Sequence, residues 1–347
     1  MRKKSILSFL IIGIILTGVF YYTLYLHPKE TYLFLISDEV KGKLLWGYMD
    51  KTGQEVIAPQ FIDAANFSEG LAAVSTDAGW GFIDLSGNFV IPPRFRWASS
   101  FQDSLADISL DGYSWGYIDR KGNIVIEPQY EYASKFHGNF AAVEVDKKWG
   151  IINTKGQFVV APQFDRLFRS DNGLAAVELD GKWGYINYQG KISIPIQFDN
   201  AFPFSEGLAL IQVNKLYGYI DSTGKMLIAP QFDSAQPFSE GLAVAKKDGL
   251  LGYINNKGEW VIKLQFKYAQ EFSEGLAIVG NINSNNSPEF GYIDRTGKLI
   301  IAPQYELAIP FSNGLAAVYM YSKKTMCYLD KNGVVVHCGK WFQPILE

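Results

Sequence analysis

The chain has 347 residues, 48% hydrophobic and 15% aromatic, and carries 32 basic against 35 acidic side chains for a formal charge of −3. Three of the basic residues are Arg2, Lys3 and Lys4, so the remainder is mildly acidic and contains no basic run. Such a surface does not attract a phosphate backbone, which sets DNA and RNA aside as partners.

Ile6 to Leu26 follows as 21 uncharged residues rich in Ile, Leu, Phe, Val and Tyr. That length spans a bilayer as a helix. The run exceeds a usual signal-peptide core and ends in Phe20-Tyr21-Tyr22 and Tyr25 with no small-x-small cleavage site, so an uncleaved signal-anchor is expected, with secretion after cleavage as the alternative. Arg2, Lys3 and Lys4 then stay inside, the tyrosines mark the outer interface, and everything from His27 onward lies outside the cytoplasm. The expected division is an anchor over 1–26, a linker over 27–30 and a β domain over 31–347.

Beyond residue 30 the chain repeats itself. An aromatic-Gly pair stands at Trp46-Gly47, Trp80-Gly81, Trp115-Gly116, Trp149-Gly150, Trp183-Gly184 and Tyr217-Gly218, at steps of 34 or 35 residues. Weaker copies follow at Leu251-Gly252 and Phe290-Gly291, the last step lengthened by an insertion from Asn281 to Pro288. A ninth copy, Met326-Cys327-Tyr328-Leu329-Asp330, has lost both residues of the pair. A fixed period of this size marks a repeat architecture, in which end units are atypical.

One unit reads as three short strands. Leu174-Ala175-Ala176-Val177 is the first, Asp180-Gly181 a hairpin turn, Trp183 to Ile186 the second, Asn187 to Gly190 another turn, and Ile192 to Ile194 the third. The second turn opens on Asp or Asn in all nine copies, from Asp50 to Asp330, and closes on Gly in all nine, from Gly53 to Gly333. An Asx side chain caps its own turn and Gly accepts positive φ, so a type I turn with a glycine bulge is expected. This chemistry explains the nine aligned acids and amides without a ligand.

These residues resemble the bacterial WG repeat family, whose motif is Trp-Gly-Tyr-Ile-Asp, then x-x-Gly, a short apolar run and Pro-x-Phe. The resemblance covers about residues 31 to 347, with local departures at Leu251, Ile196, Leu264, Arg94 and the ninth copy. It implies a binding or scaffolding module and no common chemistry.

Neither face of the three-stranded meander looks wet, because the aromatics of Trp183-Gly184-Tyr185-Ile186 take one face and Ile the other. The units must therefore stack face to face. A 34-residue period is shorter than the roughly 40–50 residues of four-stranded propeller blades, so an open superhelical stack is expected, with a closed propeller-like ring as the alternative. The tryptophans are expected in the core, covering the bare backbone of the neighbouring glycine, rather than on a sugar-binding platform. Between units runs Pro-Gln-Phe, in which Pro is expected to end the strand, and then Phe-Ser-Glu-Gly, intact at 67–70, 204–207, 238–241 and 272–275. Glu69, Glu206, Glu240 and Glu274 lie a whole unit apart, too far to share a cation, and read as solvated turn residues.

Catalytic patterns are sparse. His27, His137 and His337 are the only histidines, and none has a companion at metal-ligand or triad spacing. No cofactor is implied, and a chain of such similar units leaves little room for a unique catalytic centre. The expected function is a non-catalytic binding or scaffolding module, membrane-anchored in the bacterial cell envelope, for a protein, peptide or envelope polymer. The alternative is a carbohydrate-processing or cation-dependent envelope enzyme. Residues that break the repeat, Arg94, Arg96, Trp97, Arg166 and Arg169, suit a partner surface. The two cysteines, Cys327 and Cys338, flank the ninth hairpin and are expected to form a disulfide in an oxidising compartment, with a bulge correcting their register.

Overall fold

The computed structural model describes residues 32–169, 172–283, 287–320 and 325–339. The chain divides into two units, Met1–Tyr32 and Leu33–Glu347. The expected anchor, Ile6 to Leu26, lies outside the described residues; among those described, no helix is long and apolar enough to cross a membrane.

The described residues of the larger unit form nine antiparallel sheets, here called blades 1 to 9, over residues 34–61, 63–95, 97–130, 132–164, 166–198, 200–232, 234–266, 268–305 and 307–339. Blade 1 has three strands and the others have four, in simple order. In blade 6 these are Asn200–Ser205, Leu208–Val213, Leu216–Asp221 and Met226–Phe232. The additional strand comes from the connector and is as short as two residues, as in Tyr132–Ala133.

The blades close into a ring, which overturns the expected open stack. Blade 9 meets blade 1 in a continuous core of Phe34, Ile36, Met49 and Leu315, against which Tyr328 and Val336 pack. The Phe34 and Tyr328 rings lie 5.7 Å apart, edge to face. Two economies make a 34-residue blade sufficient. The first strand is very short, and a single residue links each fourth strand to the next first strand, as Asp233 does between Met226–Phe232 and Ser234–Ala235. Comparison of periods alone assumes four full strands and separate connectors.

The fourth strand also corrects the expectation that Pro ends it. In blade 6 it runs through Pro230 to Phe232 and pairs Tyr217 with Phe232 and Tyr219 with Ile228, leaving a bulge opposite Gly218. Proline is tolerated there because this is an edge strand, where a missing N–H breaks no ladder. The bulged backbone lies directly on the glycine: a Cβ on Gly218 would stand 2.5 Å from Ile228 O and 2.7 Å from Pro230 N. Gly is therefore required by the partner strand's backbone and not by the neighbouring ring. The Asx turns take the expected form, with Gly224 N donating to Asp221 O and Asp221 N to Lys225 O. Thr223 Oγ1 and the Thr223 and Lys225 amides donate to the Asp221 carboxylate, and these bonds, the Thr223 hydroxyl first, hold its pKa below the usual value.

Alternation sends successive residues into different seams. Tyr185 enters the core shared with Ile220 of blade 6, while Ile186 enters the core shared with Val160 of blade 4. Each such tyrosine reaches across the seam, the Tyr219 hydroxyl donating to Gln236 O at 2.7 Å, Tyr185 to Phe202 O at 2.7 Å and Tyr48 to Ala65 O at 2.8 Å. Burial pushes these phenols far above their ordinary pKa, so they stay neutral donors. At the closing seam Tyr328 donates instead to Leu35 O at 3.1 Å. In blade 2 the equivalent carbonyl, Ala73 O, accepts from Ala65 N, a residue next to a first strand that has no counterpart among the described residues of blade 1. Replacement Tyr219→Phe is expected to destabilise by about 1–2 kcal/mol, since it leaves the partly buried Gln236 carbonyl without this donor. Chemical denaturation measures this, and an unchanged midpoint would refute the latch.

Candidate functional site

The connector turns form a second set of links between blades. Ser205 to Leu208 is a two-residue hairpin turn with Glu206 and Gly207 both at positive φ, 51° and 81°, the geometry of a type I′ turn. Its serine hydroxyl donates to Phe238 O of the next blade at 2.7 Å, and its glutamate accepts from Gly241 N at 2.8 Å. The same carboxylate bond joins Glu240 to Gly275 N and Glu274 to Gly314 N, both at 2.9 Å, and Glu69 to Ser104 N at 3.1 Å. These acids are thus not merely solvated. Each caps its neighbour's turn, so the row that invited a cation reading is a structural chain around one rim.

The first strands of blades 5 and 6 pack on each other. That convergence places the first-strand edge toward the ring axis and the fourth strands on the outside. Across the first strands of blades 4 and 5 lies a groove of about 800 Å³, reaching Gln102 in blade 3 and Pro203 in blade 6. One wall is aromatic. Tyr132, 53% exposed, stands between Trp115 at 6.2 Å and Trp149 at 5.6 Å. Phe168, 48% exposed, lies flat on Trp183 at 5.5 Å in the other part of the groove. Among the tryptophans of the repeat, Trp46 and Trp183 are buried as expected, whereas Trp80, Trp115 and Trp149 are half-buried.

The five residues expected at a partner surface fall into two places. Arg166 and Arg169 line this groove, while Arg94, Arg96 and Trp97 line a separate hollow of about 520 Å³ between blades 2 and 3. Two of the arginines are committed to backbone. Arg169 donates to the carbonyls of Phe140, His137 and Lys135, and Arg94 to Gly122 O. Arg166 pairs with Glu178 at 3.3 Å with its side chain largely exposed, and Trp97 is 47% exposed. Cys327 and Cys338 are disulfide-bonded, with Cα atoms 4.1 Å apart. Asp330 pairs with Val334, and a register shift between Tyr328 and Leu329 brings Cys338 opposite Cys327, which holds the place of the repeat glycine.

Sequence reading missed two acids. Asp107, 4% exposed, stands where blades 2, 4 and 5 carry Ala73, Ala142 and Ala176. Ser99 Oγ donates to its Oδ2 at 2.6 Å, and Oδ1 has no hydrogen-bond partner among the described residues. Burial raises its pKa above the usual 3.8. The neutral form is therefore favoured in the fold, so stability present at low pH is lost as pH rises from about 4 through the raised value. Asp107→Ala is expected to gain about 1–2 kcal/mol on the parent at neutral pH and less near pH 4, read from urea midpoints at the two pH values; a loss at neutral pH would refute this. The other acid is Glu144, half-buried in the groove and cross-strand neighbour of both Tyr132 and Trp149. Asp107 was visible as the odd member of its column once the units are aligned; Glu144 was not, since Glu178 holds the same place in blade 5. Among the described residues no three His, Cys, Asp or Glu side chains are placed to hold a metal ion.

The family described as WG containing repeat matches residues 46–78, 80–113, 115–149, 149–183, 183–217, 217–250, 252–281 and 290–323. No curated protein matches the sequence. Among solved structures, the chain is similar to BamB from Moraxella catarrhalis at 12% identity and a TM-score of 0.46, covering 79% of this chain and 94% of that one. It is also similar to dihydro-heme d1 dehydrogenase NirN, at 10% identity and a TM-score of 0.46 over 90% and 74% of the two chains. AztD from Citrobacter koseri gives 13%, 0.40, and coverage of 89% and 97%.

Proposed function

The chain belongs to the WG containing repeat family, and from that premise we propose that it is a non-catalytic binding module for a protein, peptide or cell-envelope polymer, held at the bacterial membrane by Ile6 to Leu26 with the ring outside the cytoplasm. The observation that carries the reading is the groove over blades 4 and 5. Its exposed Tyr132 and Phe168 are large apolar surfaces that folding leaves uncovered, at the edge where the blades converge. Much of the rest of the ring spends its polar groups on holding blades together: tyrosines, serines and glutamates that recur in most units bond the next blade. Arg96, Trp97 and Arg166 extend the surface offered to a partner.

A photo-crosslinking residue in place of Tyr132, compared with one at the outer-strand Phe89, tests this in intact cells. An envelope adduct formed from position 132 and not from 89 is expected; adducts from neither, or equally from both, would remove the groove as the binding surface. The anchor is tested separately by a reporter fused after Glu347, which should be active outside the cytoplasm. Activity only inside would overturn the orientation.

A further inference from the structure

We infer that the groove over blades 4 and 5 takes a neutral glycan chain, its pyranose rings stacked on Tyr132 and Phe168 and their hydroxyls donating to Glu144. This rests on the reading of the groove as a binding surface and names the chemistry of its occupant.

Charge selects first. The charged groups lining the groove are largely paired within the protein: Arg166 Nε with Glu178 at 3.3 Å, Asp165 with Lys148 Nζ at 2.5 Å, and Arg169 with three backbone carbonyls. An anionic or cationic polymer would have to compete with these bonds and meets no field of one sign.

Shape selects next. Tyr132 packs on Trp149 at 5.6 Å and on Trp115 at 6.2 Å, so Tyr132 and Trp149 form a wall and leave no box between them for an ammonium group. What the wall offers is ring faces, and Phe168 offers another. An extended peptide adding to the sheet is disfavoured, because the first-strand edges available are short, Tyr132–Ala133 in blade 4 and Arg166–Arg169 in blade 5.

Glu144 then decides the polar part. It lies in register between Tyr132 and Trp149, and its carboxylate, among the described residues, makes no hydrogen bond or ion pair, whereas that of its counterpart Glu178 is held by Arg166. An ionised carboxylate is acceptor-only, with room for two donors. A pyranose supplies what this site lacks: a C–H face for the rings and adjacent hydroxyls for the carboxylate. At about 800 Å³ the groove has room for more than one ring.

The test is calorimetric titration of the full chain with cellohexaose and chitohexaose, and with hexaglutamate, hexalysine and a proline-rich decapeptide. Expected is saccharide binding that survives a rise in salt from about 50 to about 500 mM. Tyr132→Ala and Glu144→Gln should each weaken it about tenfold, with Phe89→Ala as an unaffected control and Tyr132→Phe restoring it. Circular dichroism of each variant checks that the fold is kept, as expected for a side chain as exposed as Tyr132. No saccharide binding, saccharide binding indifferent to both variants, or groove-dependent binding of a peptide instead would overturn the inference. The last result leaves the binding module intact, while loss of the position-132 adduct removes the binding surface itself.

Discussion

Deleting one complete period, residues 217–250, is expected to abolish the cooperative native fold, although the cut joins Leu216 to Leu251-Gly252 in phase. In an open array such a deletion removes one unit and one interface and leaves the remainder near its original stability. In the ring, every seam must change its angle for eight blades to close, and failure to close exposes the seam of Phe34, Ile36, Met49 and Leu315. At roughly 1.5–3 kcal/mol for each of these four buried side chains, the open seam alone costs on the order of 6–12 kcal/mol, comparable with the whole stability of a domain. Thermal unfolding followed by tryptophan fluorescence, beside a half-period deletion of residues 217–231, gives the answer. The two deletions should fail alike; a full-period deletion that melts cooperatively near the parental midpoint would overturn ring closure.

A single methyl group should be almost as damaging at Gly218. The Cβ of Gly218→Ala would stand 2.5 and 2.7 Å from backbone atoms of the bulged strand, which cannot swing aside as a side chain does. Relief requires moving Ile228 to Pro230 off the sheet, and Ile228 and Phe232 are in the core shared with blade 7. A loss of about 3–5 kcal/mol is expected, at the upper end for point substitutions. Gly249→Ala is the control, since that glycine has φ +79° and no atom within 4 Å of the added carbon. It should cost only the left-handed backbone term of about 1–2 kcal/mol. Equal losses at both sites would mean that conformation, and not contact, fixes the repeat glycine.

The exposed turn aspartates and buried Asp107 give opposite pH signatures for the same residue type. Asp221 and Asp294 accept hydrogen bonds in the folded state, first from Thr223 and Thr296, that hold their pKa down. Their contribution is present above the usual carboxylate range and is lost as pH falls through the lowered value. Asp107 contributes in the reverse sense because burial favours its neutral form. Turn chemistry is written in five consecutive residues and was legible from sequence. Burial of Asp107 depends on Ser99 and the packing of two blades, and no local pattern announces it.

The sequence by itself determined the repeat, its all-β nature, the hairpin and Asx turns, and the two-sided apolar strands, because each follows from side chains close along the chain. It determined also that the repeat glycine matters, though not why: the atoms that exclude a Cβ come from the fourth strand, some ten residues on, after the bulge. Only the tertiary structure decided ring against open stack. Closure depends on whether small rotations at every seam add to a full turn, and a 34-residue period is compatible with either sum. It also decided which aromatics are core and which are surface. Trp183 and Trp149 occupy the same place in the motif, yet one is buried and the other lines the groove. The difference lies in what the neighbouring first strand carries, Phe168 over Trp183 and Tyr132 beside Trp149, and that proximity exists only once the strands are paired and the blades are set side by side.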